Sequence, residues 1–286
     1  VQDGGRWGWA HVGVPAAGAQ HRARCLAATG LIRGRLDDGA PAVEVLDGRL
    51  TATAQQRVAV CVVGPSTVEV DGLPAALGAV LAVEAGSTIR IAPAGSGPVY
   101  LAVGGWTPPS ILGSCSTDTF SGIGPSPLRR GDALDGEPKG LDRVGAFHRE
   151  CRALATARGV LRVVDPDPRL LDEGWRVLST ARSGTRLGGG SVVGEGLATS
   201  APLVTGAIQA TPSGELIVIG RDGGVSGGYP VVGVVATCDM DAVSTAAVGA
   251  LVRFTPISAS GAADLHRDSM RELAASLVPP SALASH

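Results

Sequence analysis

Arg182 and Arg186 stand four residues apart among the glycines of residues 181–190. Positions four apart share a face on a strand or on a helix. Two guanidiniums on one face suit a carboxylate or carbonate, through forked hydrogen bonds, although two solvated surface arginines fit the same spacing. Gln209 ends the apolar run Leu-Val-Thr-Gly-Ala-Ile-Gln. Its amide both donates and accepts, which suits an amide or lactam ligand, or else a neighbouring backbone. Tyr229 follows two glycines and can act as a donor above a ligand or simply pack. Ser226 sits in Gly-Val-Ser-Gly-Gly at 224–228. That run matches the Gly-x-Ser-x-Gly of hydrolase nucleophile elbows, but an elbow needs a helix after the serine. Tyr229-Pro230 and a β-branched run follow instead, so Ser226 is not read as a nucleophile. Ser114, Ser116 and Thr117 offer hydroxyls in a loop, where capping and turn bonds are their commoner use. No Ser-His-Asp set can be assembled.

The stretch at residues 206–230 holds Gln209, Ser226 and Tyr229 together with a glycine-dense loop. Such a loop is costly to order and so implies positive φ angles or a backbone lying close to something. Around it the chain reads as short strands. Hydrophobic residues make up 44% and aromatics only 3%, so Val, Leu, Ile and Ala must build the core. The 42 glycines and 19 prolines punctuate apolar runs at intervals of roughly ten residues, the pattern of a sandwich or barrel. Asp71-Gly72 predicts a tight hairpin. Helices are expected at residues 16–31, ended by Gly30, at 239–248, and at 262–277, where Leu265, Met270, Leu273 and Leu277 line one face. Residues 170–178 could begin as a helix. A charged, partly helical connector at 141–158 marks a boundary near residue 150.

Composition removes several function classes. The net charge is −2, without a basic stripe, so nucleic acid is excluded as a partner. Of 24 basic residues only Lys139 is lysine, and it lies in the turn-like Glu-Pro-Lys-Gly. Schiff-base, phosphate-loop and biotin-carrying lysines therefore have no suitable position. Cys25, Cys61, Cys115, Cys151 and Cys238 are odd in number and widely spaced, which predicts reduced thiols in a cytoplasmic protein. The five histidines lack ligand spacing, so no metal is expected. No apolar run reaches membrane-spanning length. Val1 in first position predicts that the native N-terminus lies upstream.

Taken in order, these stretches resemble one family, allophanate hydrolase subunit 2, also called the biotin-dependent carboxyltransferase family and including the C subunits of 5-oxoprolinases. The opening carries Gln2-Asp3, Gly5-Arg6, Gly8, Gly13-Val14-Pro15 and Gly18-Ala19. Glu44 follows, then Tyr100 to Gly105, Leu112-Gly113-Ser114 with Ser116-Thr117, Leu128 and Gly131-Asp132. The second half carries Arg182, Gly184, Arg186-Leu187, Ser200, Gly206, Ile208-Gln209, Gly214, Asp222, Ser226, Gly227 to Pro230, Asp239 and Arg253-Phe254. The resemblance spans residue 1 to about 258. The chain departs from the pattern at Ala17 and His21 (Ser and Asp in the pattern), Cys115 (Arg), Thr180-Ala181 (Ser-Asp) and Gly224 (Gln).

The resemblance implies a mainly β protein of two cyclophilin-like β-barrel subdomains, 1–150 and 151–286, with a few short helices, one of them C-terminal. A cleft between them would hold substrate near Arg182, Arg186, Gln209, Ser226, Tyr229, Ser116, Thr117 and Glu44. It implies a separate partner, allophanate hydrolase subunit 1 or the equivalent B-like protein of 5-oxoprolinases, and a third, ATP-handling A component. The activity it implies is ATP-dependent opening of 5-oxoproline to glutamate by the complex, the chain itself binding no cofactor. Carboxyl transfer from biotin in a urea carboxylase-type system and a regulatory scaffold are the alternatives. The departures predict altered substrate or reduced catalysis.

Overall fold

The computed structural model describes residues 1–148 and 159–279. The chain is mainly β, as expected. In its first half β1 (Val43–Val45), β2 (Leu50–Thr53), β3 (Val58–Val63), β4 (Ser66–Val70), β5 (Leu73–Pro74), β6 (Val80–Val83), β7 (Thr88–Pro93) and β8 (Val99–Val103) form two four-stranded sheets. Their orders are β1-β8-β3-β6 and β2-β7-β4-β5. Asp71 and Gly72 both take positive φ, 51° and 80°, and join β4 to β5 in the tight hairpin their types predict. Val43, Val60, Val62, Val68, Ile89, Ile91 and Leu101 fill the space between the sheets. The other face of the first sheet packs on helix α1 (Arg22–Arg33) through Ala59, Cys61, Val63 and Tyr100. Small and β-branched side chains thus build the core that the low aromatic content required.

In the second half β10 (Val160–Val164), β11 (Trp175–Ala181), β12 (Gly184–Gly188), β14 (Ala207–Ala210), β15 (Leu216–Ile219), β17 (Val231–Val235) and β18 (Leu251–Pro256) close into a barrel. Its order is β10-β17-β14-β15-β12-β11-β18. Trp175, Leu187, Ile208, Leu216 and Phe254 fill the interior, and the short helix α2 (Met240–Thr245) covers it. The closed barrel is therefore a feature of the second half, while the first half keeps two separate sheets. Two short pairs lie outside these sheets: β13 (Ala201–Pro202) with β16 (Ser226–Gly227), and β9 (Phe147–His148) with β19 (Leu277–Val278).

Several local expectations shift. Helix α1 begins at Arg22, not at residue 16, because Gly18 has φ +95° and Asp241 caps the later start. Gly30 does not end it. A Cβ there would stand 2.9 Å from Leu277 Cδ1, so this glycine is a packing choice, and Gly34, with φ +73°, ends the helix. The segment at 170–178 enters a strand at Trp175. Helix α3 (Ala259–Ser276) buries Leu273 and packs Met270 against the α1 layer, where Leu277, just past its end on β19, joins it. The C-terminal helix expected to belong with the second half thus also covers the first. The connector beyond residue 148, the boundary near 150 and Cys151 lie outside the described residues.

Candidate functional site

Arg182 and Ser183 form the tip of the β11–β12 hairpin, whose last register pair is Ala181 with Gly184. The following loop wraps this tip. The Gly220 and Asp222 amides donate to the Ser183 and Arg182 carbonyls at 2.9 and 3.1 Å. A side chain at Gly220 would collide with the Arg182 carbonyl, so glycine is required there. The wrap brings Asp222 against the arginine, which donates to it from Nε and Nη2 at 2.8 and 2.7 Å. Arg182 then crosses to the first half, donating from Nη1 to Glu44 and from Nη2 to the Gly18 carbonyl at 2.8 Å.

Glu44 is placed by register. It lies on β1 directly opposite Tyr100 on β8, whose hydroxyl donates to Glu44 Oε2 at 2.5 Å. The Gln20 amide donates to the same oxygen at 2.8 Å, and the Tyr100 hydroxyl accepts from the His21 amide at 2.9 Å. The three charged side chains are 9% (Arg182), 3% (Glu44) and 2% (Asp222) exposed. Burial works against the guanidinium's charge, but Glu44 and Asp222 outweigh it and raise its pKa. Burial and the neighbouring Glu44 push the Tyr100 phenol well up, so it stays a proton donor.

A second junction between the halves flanks the first. Asp241 on α2 accepts from the Arg22 and Ala23 amides at the start of α1, at 2.7 and 2.9 Å, with His21 Nδ1 3.3 Å away. A carboxylate on a helix N-terminus meets both free amides and the positive end of the dipole. Burial favours its protonation, but His21, the amide bonds and Arg221 hold it well below the usual carboxylate range.

Between these junctions lies a cleft of about 680 Å³ that opens to solvent, a size in the range of small-molecule sites. Gln20, Leu46, Asp47, the 96–98 turn, Thr119 and Phe120 line it from the first half. Residues 180–183, Asp222, Ser244, Thr245 and Ala246 line it from the second. Among the described residues no cluster of His, Cys, Asp and Glu is placed to hold a metal.

Of the eight sequence candidates, Arg182 lines this cleft and Glu44 stands directly behind it. The others are elsewhere. Arg186 does not share a face with Arg182, because Arg182 sits in the hairpin turn and only Arg186 is on the strand. Arg186 points outward and pairs with Glu215 at 2.7 and 2.9 Å. Gln209 is buried and donates to the Tyr229 carbonyl at 3.0 Å, so it supports the glycine loop. A Cβ at Gly227 would lie 2.6 Å from the Gln209 amide nitrogen, which explains a glycine at that point of the loop. Ser226 is exposed on β16 and a strand follows it, not a helix. Tyr229 is 37% exposed on the same loop. Ser116 and Thr117 are buried and bind the N-terminal segment: Ser116 Oγ donates to Asp3 at 2.6 Å and the Thr117 hydroxyl accepts from the Val1 amine at 3.2 Å. Gln20, Ser183, Ser244, Thr245 and Asp241 were missed. Gln20 sits only at a variable position of the 17–21 motif, and only the meeting of the halves reveals them.

A family model for the carboxyltransferase domain, subdomain A and B, matches residues 12–256. The chain belongs to this family. It is 29% identical to the C subunit of 5-oxoprolinase from Haemophilus influenzae, covering 93% of this chain and 91% of that protein. It is 28% identical to the corresponding C subunit from Escherichia coli, covering 95% and 92%. Among solved structures, TTHA0988 superposes with a TM-score of 0.80 at 29% identity, over 89% of this chain and 53% of that one. This carboxyltransferase-family chain thus spans about half the length of TTHA0988. The Kluyveromyces lactis urea carboxylase shares the fold, with a TM-score of 0.74 at 20% identity over 96% of this chain and 28% of that one. No helix among the described residues is long and apolar enough to cross a membrane.

Proposed function

We propose that this chain is the C subunit of a 5-oxoprolinase, a hydrolase complex that opens the lactam of 5-oxoproline to glutamate with ATP. A B-like protein, related to allophanate hydrolase subunit 1, and an ATP-handling A component complete it in the cytoplasm. The near full-length match to two proteins named as 5-oxoprolinase C subunits carries the reading. The cleft supports it: its size fits a small substrate, and polar groups of both halves face it. The purified chain alone is expected to show no 5-oxoprolinase activity, and mixing with the B-like and A-like proteins to restore ATP-dependent glutamate release. Full turnover by the chain alone, or none by the reconstituted complex, removes the reading.

The matching family model favours a second reading, transfer of a carboxyl group from carboxybiotin to a urea-like amide. Avidin separates the two. It abolishes activity under the second reading and leaves the first untouched.

A further inference from the structure

Arg221 lies outside the cleft lining and is only 6% exposed. Its carbonyl accepts from the Ala17 amide at 3.0 Å, which fixes it against the N-terminal segment. Its guanidinium carbon stands over the Trp7 indole, 6.0 Å from the ring centre, within cation–π range. That ring covers one face of the guanidinium and offers its five N–H donors no acceptor. Among the described residues the Arg221 side chain makes no hydrogen bond and no ion pair.

A buried cation without a hydrogen-bonded counter-charge is costly. Burial lowers the pKa of Arg221, and Asp241 offsets this only in part. Asp241 is already taken by the Arg22 and Ala23 amides and by His21. Arg22 and Arg182 also act on Arg221, and both are cations. Arg22 is paired with Asp38, and Arg182 with Glu44 and Asp222. The Tyr100 hydroxyl is given to Glu44. No acceptor in the cluster is left over for Arg221.

The guanidinium is nevertheless reachable. Nε and Nη1 of Arg6 are sealed from solvent without a partner, but no nitrogen of Arg221 is sealed in this way. Trp7 is 62% exposed, and residues 7–13 are exposed throughout. The indole nitrogen donates to the Gly4 carbonyl at 2.9 Å, which holds the ring beside the arginine.

We propose that Arg221 and Trp7 form a binding site, separate from the cleft, for a small organic carboxylate. The arginine fork takes both carboxylate oxygens, and the indole packs on the apolar body attached to them. The site depends on neither reading of the function.

The test titrates the full chain with sodium benzoate, sodium acetate and sodium chloride at equal ionic strength. The readout is the NMR resonances of the arginine Nε–H and indole N–H groups. One resonance of each kind should move saturably with either carboxylate and stay still in chloride. Benzoate should bind about fivefold more tightly than acetate, the scale of one aromatic contact. Arg221→Met should weaken both at least about tenfold, the scale of a lost charge-assisted pair. Trp7→Ala should bring benzoate down to the level of acetate. An equal response to chloride, meaning an adventitious ion only, overturns the inference, as does binding unchanged in Arg221→Met. If Arg221→Met does not fold, the exposed Trp7→Ala decides: an undiminished preference for benzoate overturns the site.

Discussion

Two buried carboxylate clusters of this protein solve the same problem differently. Glu44 and Asp222 share a buried arginine, and that arrangement ties the second half to the first. Asp3 is held without an ion pair among the described residues. Ser114 and Ser116 donate their hydroxyls to it at 2.6 Å each, the Gly5 and Cys115 amides at 2.8 Å each, and the Cys115 thiol at 3.1 Å. Burial favours protonation of Asp3, but these donors outweigh it and hold its pKa below the ordinary value of 3.8. The difference is one of reach. An arginine can span a junction between separately folded sheets, whereas hydroxyls and amides bind only what already lies against them.

The comparison can be broken most sharply at Arg182. Arg182→Ala leaves Glu44 and Asp222 buried without their cation, and should cost about 3–5 kcal/mol in denaturant unfolding. A cost under about 1 kcal/mol, the scale of a surface pair, would mean that the junction is held elsewhere, with the Asp241 cap as the next suspect.

Asp3→Asn should cost less, about 1–3 kcal/mol, because one neutral acceptor remains for the ring of donors. The pH dependence follows from the same groups. Asp3 and Asp241 both have folded pKa values lowered from 3.8. Each therefore contributes stability that is fully present above about pH 4 and is lost as pH falls through its folded value. Unfolding midpoints measured from about pH 6 downward should drop more steeply below about pH 4 in the native chain than in Asp3→Asn. Equal slopes would show that Asp3 is not held ionised.

Cys115 reports on the cluster without unfolding it. Burial and the adjacent Asp3 push its thiol up to about 12, so at neutral pH it should resist iodoacetamide in the native chain. Asp3→Asn should speed its alkylation, read by peptide mass mapping. The smallest effect belongs to Arg186, whose side chain is 52% exposed. Arg186→Ala should change stability by no more than about 0.5 kcal/mol. The contrast with Arg182→Ala separates two arginines that the sequence presents as a pair.

Much of the β content was legible because its signals are local. The Asp71-Gly72 turn, the Val- and Ile-rich runs of residues 58–103 and the helix α3 depend on residues close in sequence. The candidate site was legible only in part. Glu44 stood out through a resemblance that runs to about residue 258 and Arg182 also through its residue type, yet spacing placed Arg186 beside Arg182 when a hairpin turn separates their directions. Gln209, Ser116 and Thr117 were read as polar groups for a ligand. They are instead taken by the Tyr229 carbonyl, Asp3 and the Val1 amine, partners 20, 113 and 116 positions away.

By itself the sequence determined the class of fold, a core built mostly from aliphatic side chains, and the absence of a biotin or phosphate-loop lysine, since each follows from residue types and short-range pattern. Only the tertiary structure decided which polar groups face open space. That outcome depends on contacts such as Arg182 with Glu44, 138 residues apart, and on Asp241 capping a helix 218 residues before it. No periodicity records such pairings, because they are fixed by how the barrel docks on the two sheets.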